Sequence, residues 1–250
     1  MSLRPPPATA CWQHCGARSG FEVAYFVARE HSWRIDGTTA AIENTRTWVV
    51  TYRIEVDAAW ATRSARIEAR TAPGRRETLL ESDGAGHWLV DGGPAPYLDG
   101  CMDVDLESSA MTNTLPVHRL DLQPGARADA PAAYVRALTL TAGRLDQVYG
   151  RISDEAGRWR YDYAAPAFGF TACLVYDDSG LVVDYPGIAL RVSRTRRAVG
   201  YSSRTRARNC APDLAGIHWS ARTSGTSAPS ARSCSSPASA SSGDALDMIR

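Results

Sequence analysis

The chain has 250 residues, 44% hydrophobic and 22% charged, the composition of a soluble globular protein long enough for one large domain or two small ones. Its 28 basic residues against 27 acids give a net charge of +1, which excludes an electrostatic drive toward nucleic acid or an anionic membrane. From Arg194 onward nine arginines face three acids, +6, so residues 1–193 stand at −5. Every basic residue is arginine; a phosphate-binding surface has no need to remove lysine elsewhere, and GC-rich coding accounts for the bias.

The opening "MSLRPPPATACWQHCG" carries three prolines and lacks the apolar core of a secretory signal, which predicts a flexible segment over residues 1–20 and a cytoplasmic location. No run reaches eighteen apolar residues, so no integral membrane association is expected. "CWQHC" has a C-x3-C spacing around His14 that zinc sites use, yet no second matching pair follows, and no metal is expected. The six cysteines, at 11, 15, 101, 173, 210 and 234, have no regular spacing and read as free thiols.

From Phe21 to Val192 short stretches of period two alternate with Gly, Pro, Asp and Asn. In "VVTYRIEVD", Val50, Tyr52, Ile54 and Val56 share one face while Thr51, Arg53, Glu55 and Asp57 share the other, as in a half-buried strand. "WRYDY" at 159–163 and "FGFTACLVY" at 168–176 repeat the pattern. "DGAG" at 83–86 and "DDSG" at 177–180 have the composition of hairpin loops. In chain order, strands are expected near 21–27, 33–43, 47–57, 60–71, 76–82, 87–91, 101–107, 117–122, 132–141, 145–152, 158–163, 168–176 and 181–191. "PAAYVRALTL" at 131–140 fits a helix or a strand. About a dozen short strands at this spacing predict an all-β fold, a large antiparallel meander that curls into a barrel or half-barrel over residues 21–193.

After Val192 the chain turns Ser/Arg/Ala/Pro-rich and loses both alternation and large apolar residues, so it cannot offset its ordering entropy. Residues 194–250 are expected to form a disordered tail, either a basic phosphorylatable segment or, preferred here, a C-terminus translated out of frame.

The stretch "DGCMDVDLESSAMTNTLPVHRLDL", residues 99–122, sets polar residues between apolar neighbours. Asp103 and Asp105 fall on one face of a strand, about 6.5 to 7 Å apart at their Cα atoms, a separation that suits a shared ligand or the carboxylate pair of a glycoside hydrolase. Asn113 and its flanking threonines either close a turn or contact a ligand, and Pro116 biases Leu115 to extended backbone. "DVDL…TNTLPVHRLDL" resembles the core of the bacterial putative glycolipid-binding family, written "DvDL…TPFTNTLPIRRL". "TYRIEVDAAWATRSARI" at 51–67 and "GLVVDYPGIALRV" at 180–192 extend the resemblance over about residues 22–192. Two departures are Ser108-Ser109-Ala110-Met111 in place of the Thr-Pro-Phe run and His118 in place of arginine. The resemblance implies a β-barrel-like fold and a glycolipid or similar amphiphilic small molecule as ligand; it implies no catalytic residues.

Asp103, Asp105, Asn113 and Arg119 are the ligand-binding residues expected at a polar mouth, with strand faces rich in Val, Leu, Phe and Tyr lining an apolar cavity. Trp48, Trp60, Trp88 and Trp159 are candidate surfaces for a sugar ring, though tryptophan more often belongs to the core. No G-x-S-x-G, H-E-x-x-H, P-loop or Rossmann fingerprint occurs, so neither a cofactor nor a standard enzyme class is indicated. The alternatives are a hydrolase acting through Asp103 or Asp105 with His118, and a structural or interaction module with a filled core.

Overall fold

A computed structural model describes residues 3–192 apart from 17, 153, 155 and 156. The tail expected over 194–250 lies outside the described residues. The strands are β1 (Thr9–His14), β2 (Ser19–Ala28), β3 (Ser32–Glu43), β4 (Arg46–Asp57), β5 (Thr62–Thr71), β6 (Gly74–Ser82), β7 (Trp88–Val90), β8 (Gly93–Pro94), β9 (Asp103–Leu106), β10 (Arg127–Asp129), β11 (Ala132–Val135), β12 (Ala142–Leu145), β13 (Val148–Arg151), β14 (Trp159–Ala165), β15 (Phe170–Tyr176), β16 (Val182–Tyr185) and β17 (Ala189–Arg191). One α-helix, α1, spans Thr114–Leu120.

Fourteen strands form one antiparallel sheet in the order β10-β13-β14-β15-β16-β17-β1-β2-β3-β4-β5-β6-β7-β8. It stays open, so the all-β meander is a half-barrel. Its two ends are blunted by very short strands, β10 and the two-residue β8, whose Pro94 withholds a backbone donor. A second sheet, β12-β11-β9, pairs β9 with β11 in parallel.

Alternation decides which side of the large sheet is buried. Val50, Tyr52, Ile54 and Val56 of β4 are all buried, as their spacing predicts, and Trp12, Ala24, Ile35, Ile67 and Leu80 continue that face across neighbouring strands. Each large apolar side chain removed from water contributes about 1.5–3 kcal/mol. At Gly37, directly opposite Tyr52, a Cβ would fall 2.1 Å from Tyr52 Cζ. The missing side chain lets the tyrosine ring cross β3 to β2.

The N-terminal segment and the 99–122 stretch differ from expectation. Residues 1–20 include β1, which pairs with β2 on one side and β17 on the other; β1 joins the two halves of the sheet. The strand expected over 117–122 is helix α1 instead. Pro116 sits in its first turn, where a missing N–H costs nothing, and Asp121 ends it with φ 38° in the left-handed region. The helix is only seven residues long and its first four, Thr114–Val117, are all buried, which leaves no amphipathic period to read. Of the ambiguous 131–140 stretch, Ala132–Val135 is strand β11.

Candidate functional site

Residues 103–117 are buried almost without interruption, and hydrogen bonds tie them to both halves of the sheet. Val104 N–H donates to Thr62 Oγ1 at 3.0 Å, and Thr39 Oγ1 donates to the Ser108 carbonyl at 2.7 Å. From the other half, Tyr149 Oη donates to Asn113 Oδ1 at 2.8 Å and Tyr176 Oη to the Asn113 carbonyl at 3.3 Å. The "DVDLESSAMTNTLPV" run is thus an internal plug, and its polar side chains are what fasten it.

The four expected ligand-binding residues all belong to this plug, with distinct surroundings. Asp103 is 1% exposed and is held by Arg119: Nε donates to its two oxygens at 3.0 and 3.2 Å, and one Nη to Oδ2 at 2.6 Å. Burial still outweighs the guanidinium, and the Asp103 pKa lies above its ordinary value. Asp105 shares the Asp103 face and accepts from Thr112 Oγ1 at 2.8 Å and from Gln147 Nε2 at 2.5 Å. Desolvation, opposed by those two donors, pushes its pKa up to about 6. Asn113 caps no helix; its side chain serves Tyr149. The structure therefore joins Asp103 to Arg119, and seats Asp105 and Asn113 on separate partners.

Aromatic rings surround Asp105. Tyr134 is its cross-strand partner on β11 and packs against Phe168 with ring centroids 5.4 Å apart and the planes tilted by 59°. Tyr163 packs on Tyr149, Phe170 and Tyr185 at 5.1, 6.1 and 6.0 Å. Burial raises the Tyr134, Tyr163 and Tyr185 pKa values, with the Asp105 charge a smaller contributor to each. Asp105 itself is 9% exposed, and Tyr134, Phe168 and Phe170 are half-buried, so this cluster extends to the surface. A carboxylate has about four acceptor sites; two are taken here.

Two further clusters hold the plug. Glu22 on β2 is fully buried and accepts from Tyr52 Oη at 2.7 Å, from the Ala110 N–H at 2.7 Å and from the Ser109 hydroxyl, with His14 Nε2 at 3.5 Å. Sequence reasoning missed Glu22, although a carboxylate in the same parity as Ala24 and Phe26 was the available signal. On α1, His118 stacks on Trp60 at 3.8 Å and Trp60 on Trp33 at 5.6 Å, while His118 Nε2 meets the Ser179 carbonyl at 2.9 Å. Burial lowers the His118 pKa to about 4. Gly180, at φ 67°, permits this approach: a Cβ there would lie 2.7 Å from His118 Nε2. Trp48, Trp60, Trp88 and Trp159 are all interior, and Trp88 Nε1 donates to the Cys101 carbonyl at 2.8 Å.

The described residues contain no group of three or more His, Cys, Asp or Glu able to hold a metal. None of their helices is long and apolar enough to cross a membrane.

Comparison with known proteins agrees with this architecture. The solved structure of a DUF1089 family protein from Pseudomonas aeruginosa is 30% identical, covers 77% of this chain and 97% of its own, and superposes with a TM-score of 0.59. A β-barrel-like protein of domain of unknown function DUF1849 from Brucella abortus is 12% identical over 76% of this chain and 96% of its own, with a TM-score of 0.47. No curated protein matches the chain. The family model described as putative glycolipid-binding matches residues 9–191, nearly the whole described region. The chain belongs to the putative glycolipid-binding family.

Proposed function

We propose that the protein binds a glycolipid or similar amphiphile without chemistry, the headgroup reaching Asp105 and the apolar part resting on the surrounding rings. The carrying observation is the Asp105 carboxylate: it has two protein donors, retains some exposure and sits among Tyr134, Tyr163 and Tyr185. Its unfilled acceptor sites suit sugar hydroxyls, and partly exposed aromatic rings suit acyl chains or the apolar face of a sugar. In this reading Asp103, Arg119 and Asn113 position Asp105 from within the plug. The concave side is filled by the plug, so the ligand lies against the aromatic cluster at its margin.

A hydrolase built on two carboxylates is less well supported. Both Asp103 oxygens are engaged by Arg119, which removes the second acid or base from play. The reading also carries a bacterial, cytoplasmic site of action, which fractionation of the native host checks.

The test is native mass spectrometry of the full chain purified from a bacterial host, followed by denaturation and lipid analysis. A released species with an acyl chain and a sugar, lost in Asp105→Asn, is the expected result. An empty protein that also takes up no lipid on incubation overturns the reading.

A further inference from the structure

A second site lies away from the plug. An open groove of about 510 Å³ runs where β6 and β7 meet the turn joining β11 to β12. Tyr97 lines it with 54% of its surface exposed, on a 3₁₀ turn, Pro96–Leu98, anchored by the fully buried Leu98 and started by Pro96. Tyr97 is the most exposed of the large apolar side chains among the described residues, just ahead of Tyr25 at 53%, and unlike a ring on a flat surface it borders a groove.

The groove's polar groups are held in place. Asp91 accepts from the Leu79 N–H at 2.8 Å and from Thr78 Oγ1 at 3.2 Å. Thr139 and Thr141 hydroxyls pair at 2.8 Å, offering one donor and one acceptor outward. Asp91 and Leu140, both lining the groove, have left-handed backbone, φ 51° and 59°, a strain of order 1 kcal/mol or more at each non-glycine residue. Glu77 is neutralised by Arg66, and Arg76 has no ion pair among the described residues, so Arg76 and Asp91 leave the groove with no charge excess.

A ring face beside a mixed rim of fixed donors and acceptors, with no net charge, matches a molecule that has one C–H face and a belt of hydroxyls. We propose that this groove binds a neutral saccharide ring stacked on Tyr97, with Asp91, Thr139 and Thr141 reading its hydroxyls. It shares no residue with the Asp105 cluster and does not depend on the reading given to that cluster.

The experiment is saturation-transfer NMR on the full chain with methyl glycosides of glucose, galactose, mannose and N-acetylglucosamine, together with a glycan array. The expected result is transfer to the C–H protons of at least one sugar, weakened about tenfold in affinity by Tyr97→Ala, and retained by Tyr97→Phe. Absence of binding to the wild-type chain by both methods overturns the proposal, as does undiminished binding by Tyr97→Ala. Binding lost in Asp105→Asn but kept in Tyr97→Ala also overturns it, while favouring the Asp105 cluster as the sugar site. Binding at Tyr97 by a protein that releases no lipid in mass spectrometry and takes none up on incubation leaves the groove standing and removes the amphiphile reading.

Discussion

Replacing Arg119 by methionine separates the two roles that a buried ion pair can have. Asp103 is 2% exposed at its side chain and Arg119 15%, and three contacts of 2.6–3.2 Å join them. Arg119→Met keeps most of the aliphatic stem and leaves a buried carboxylate uncompensated, which costs about 3–5 kcal/mol. With a urea slope of about 2–3 kcal/mol/M, the unfolding midpoint falls by about 1–2.5 M. The deficit depends on pH in a fixed direction. Burial already holds the Asp103 pKa above its ordinary value, and loss of the guanidinium raises it further. A raised folded-state pKa contributes stability below the unfolded value and loses it as pH rises, so the variant recovers relative to wild type on acidification, compared at about pH 7 and about pH 5. Asp103→Leu combined with Arg119→Met removes both charges and returns to within about 1–2 kcal/mol of wild type, or above it. Urea titrations followed by tryptophan fluorescence at both pH values measure all three variants. A deficit below about 1 kcal/mol for Arg119→Met, unchanged by acid, would refute the claim that this pair fastens the plug.

Asp105, at about 6 against an ordinary 3.8, contributes about 3 kcal/mol that is present below pH 4 and lost as pH rises through 6. Asp105→Asn is therefore expected to flatten the rise in thermal midpoint on acidification over that window; an unchanged slope in calorimetry sinks the assignment. His118 runs the other way: its pKa is lowered from 6.5 to about 4, so its contribution is present above 6.5 and lost as pH falls through 4. Ring signals of His118 in ¹H–¹⁵N NMR should stay at the neutral position down to about pH 5, and titration near 6.5 would contradict the Trp60 stack. Gly37→Ala should cost about 1–3 kcal/mol by overpacking on Tyr52, and less in a Tyr52→Ala background where the ring is gone. Equal costs in the two backgrounds, read from denaturation midpoints, would show that the Gly37–Tyr52 approach is not the cause.

Local periodicity determined the architecture. The two faces of β4 were legible from Val50, Tyr52, Ile54 and Val56 because in a strand the side-chain period is two and burial follows it directly. The hairpin loops at 83–86 and 177–180 were equally legible from their turn composition, and in each the leading Asp carboxylate accepts from backbone N–H groups within four residues. β1 escaped notice because its six residues are stabilised by β2 and by β17, some 180 positions away, rather than by any local pattern. Helix α1 escaped it because its seven residues are too few to show a helical period, and contacts with Trp60, Asp103 and Ser179 hold it.

The same division holds for the site. The sequence by itself marked Asp103, Asp105, Asn113 and Arg119 as polar residues in an apolar context, together with the family they belong to. Which of them saturate one another, and which keeps free acceptor sites, depended on partners such as Gln147, Tyr149 and Tyr163 that lie 36 or more residues away. A hydrogen bond or a desolvated charge is a relation between groups brought together by the fold, and no spacing along the chain encodes it. Tertiary structure alone therefore made residues 103–117 an internal plug fastened to both halves of the sheet.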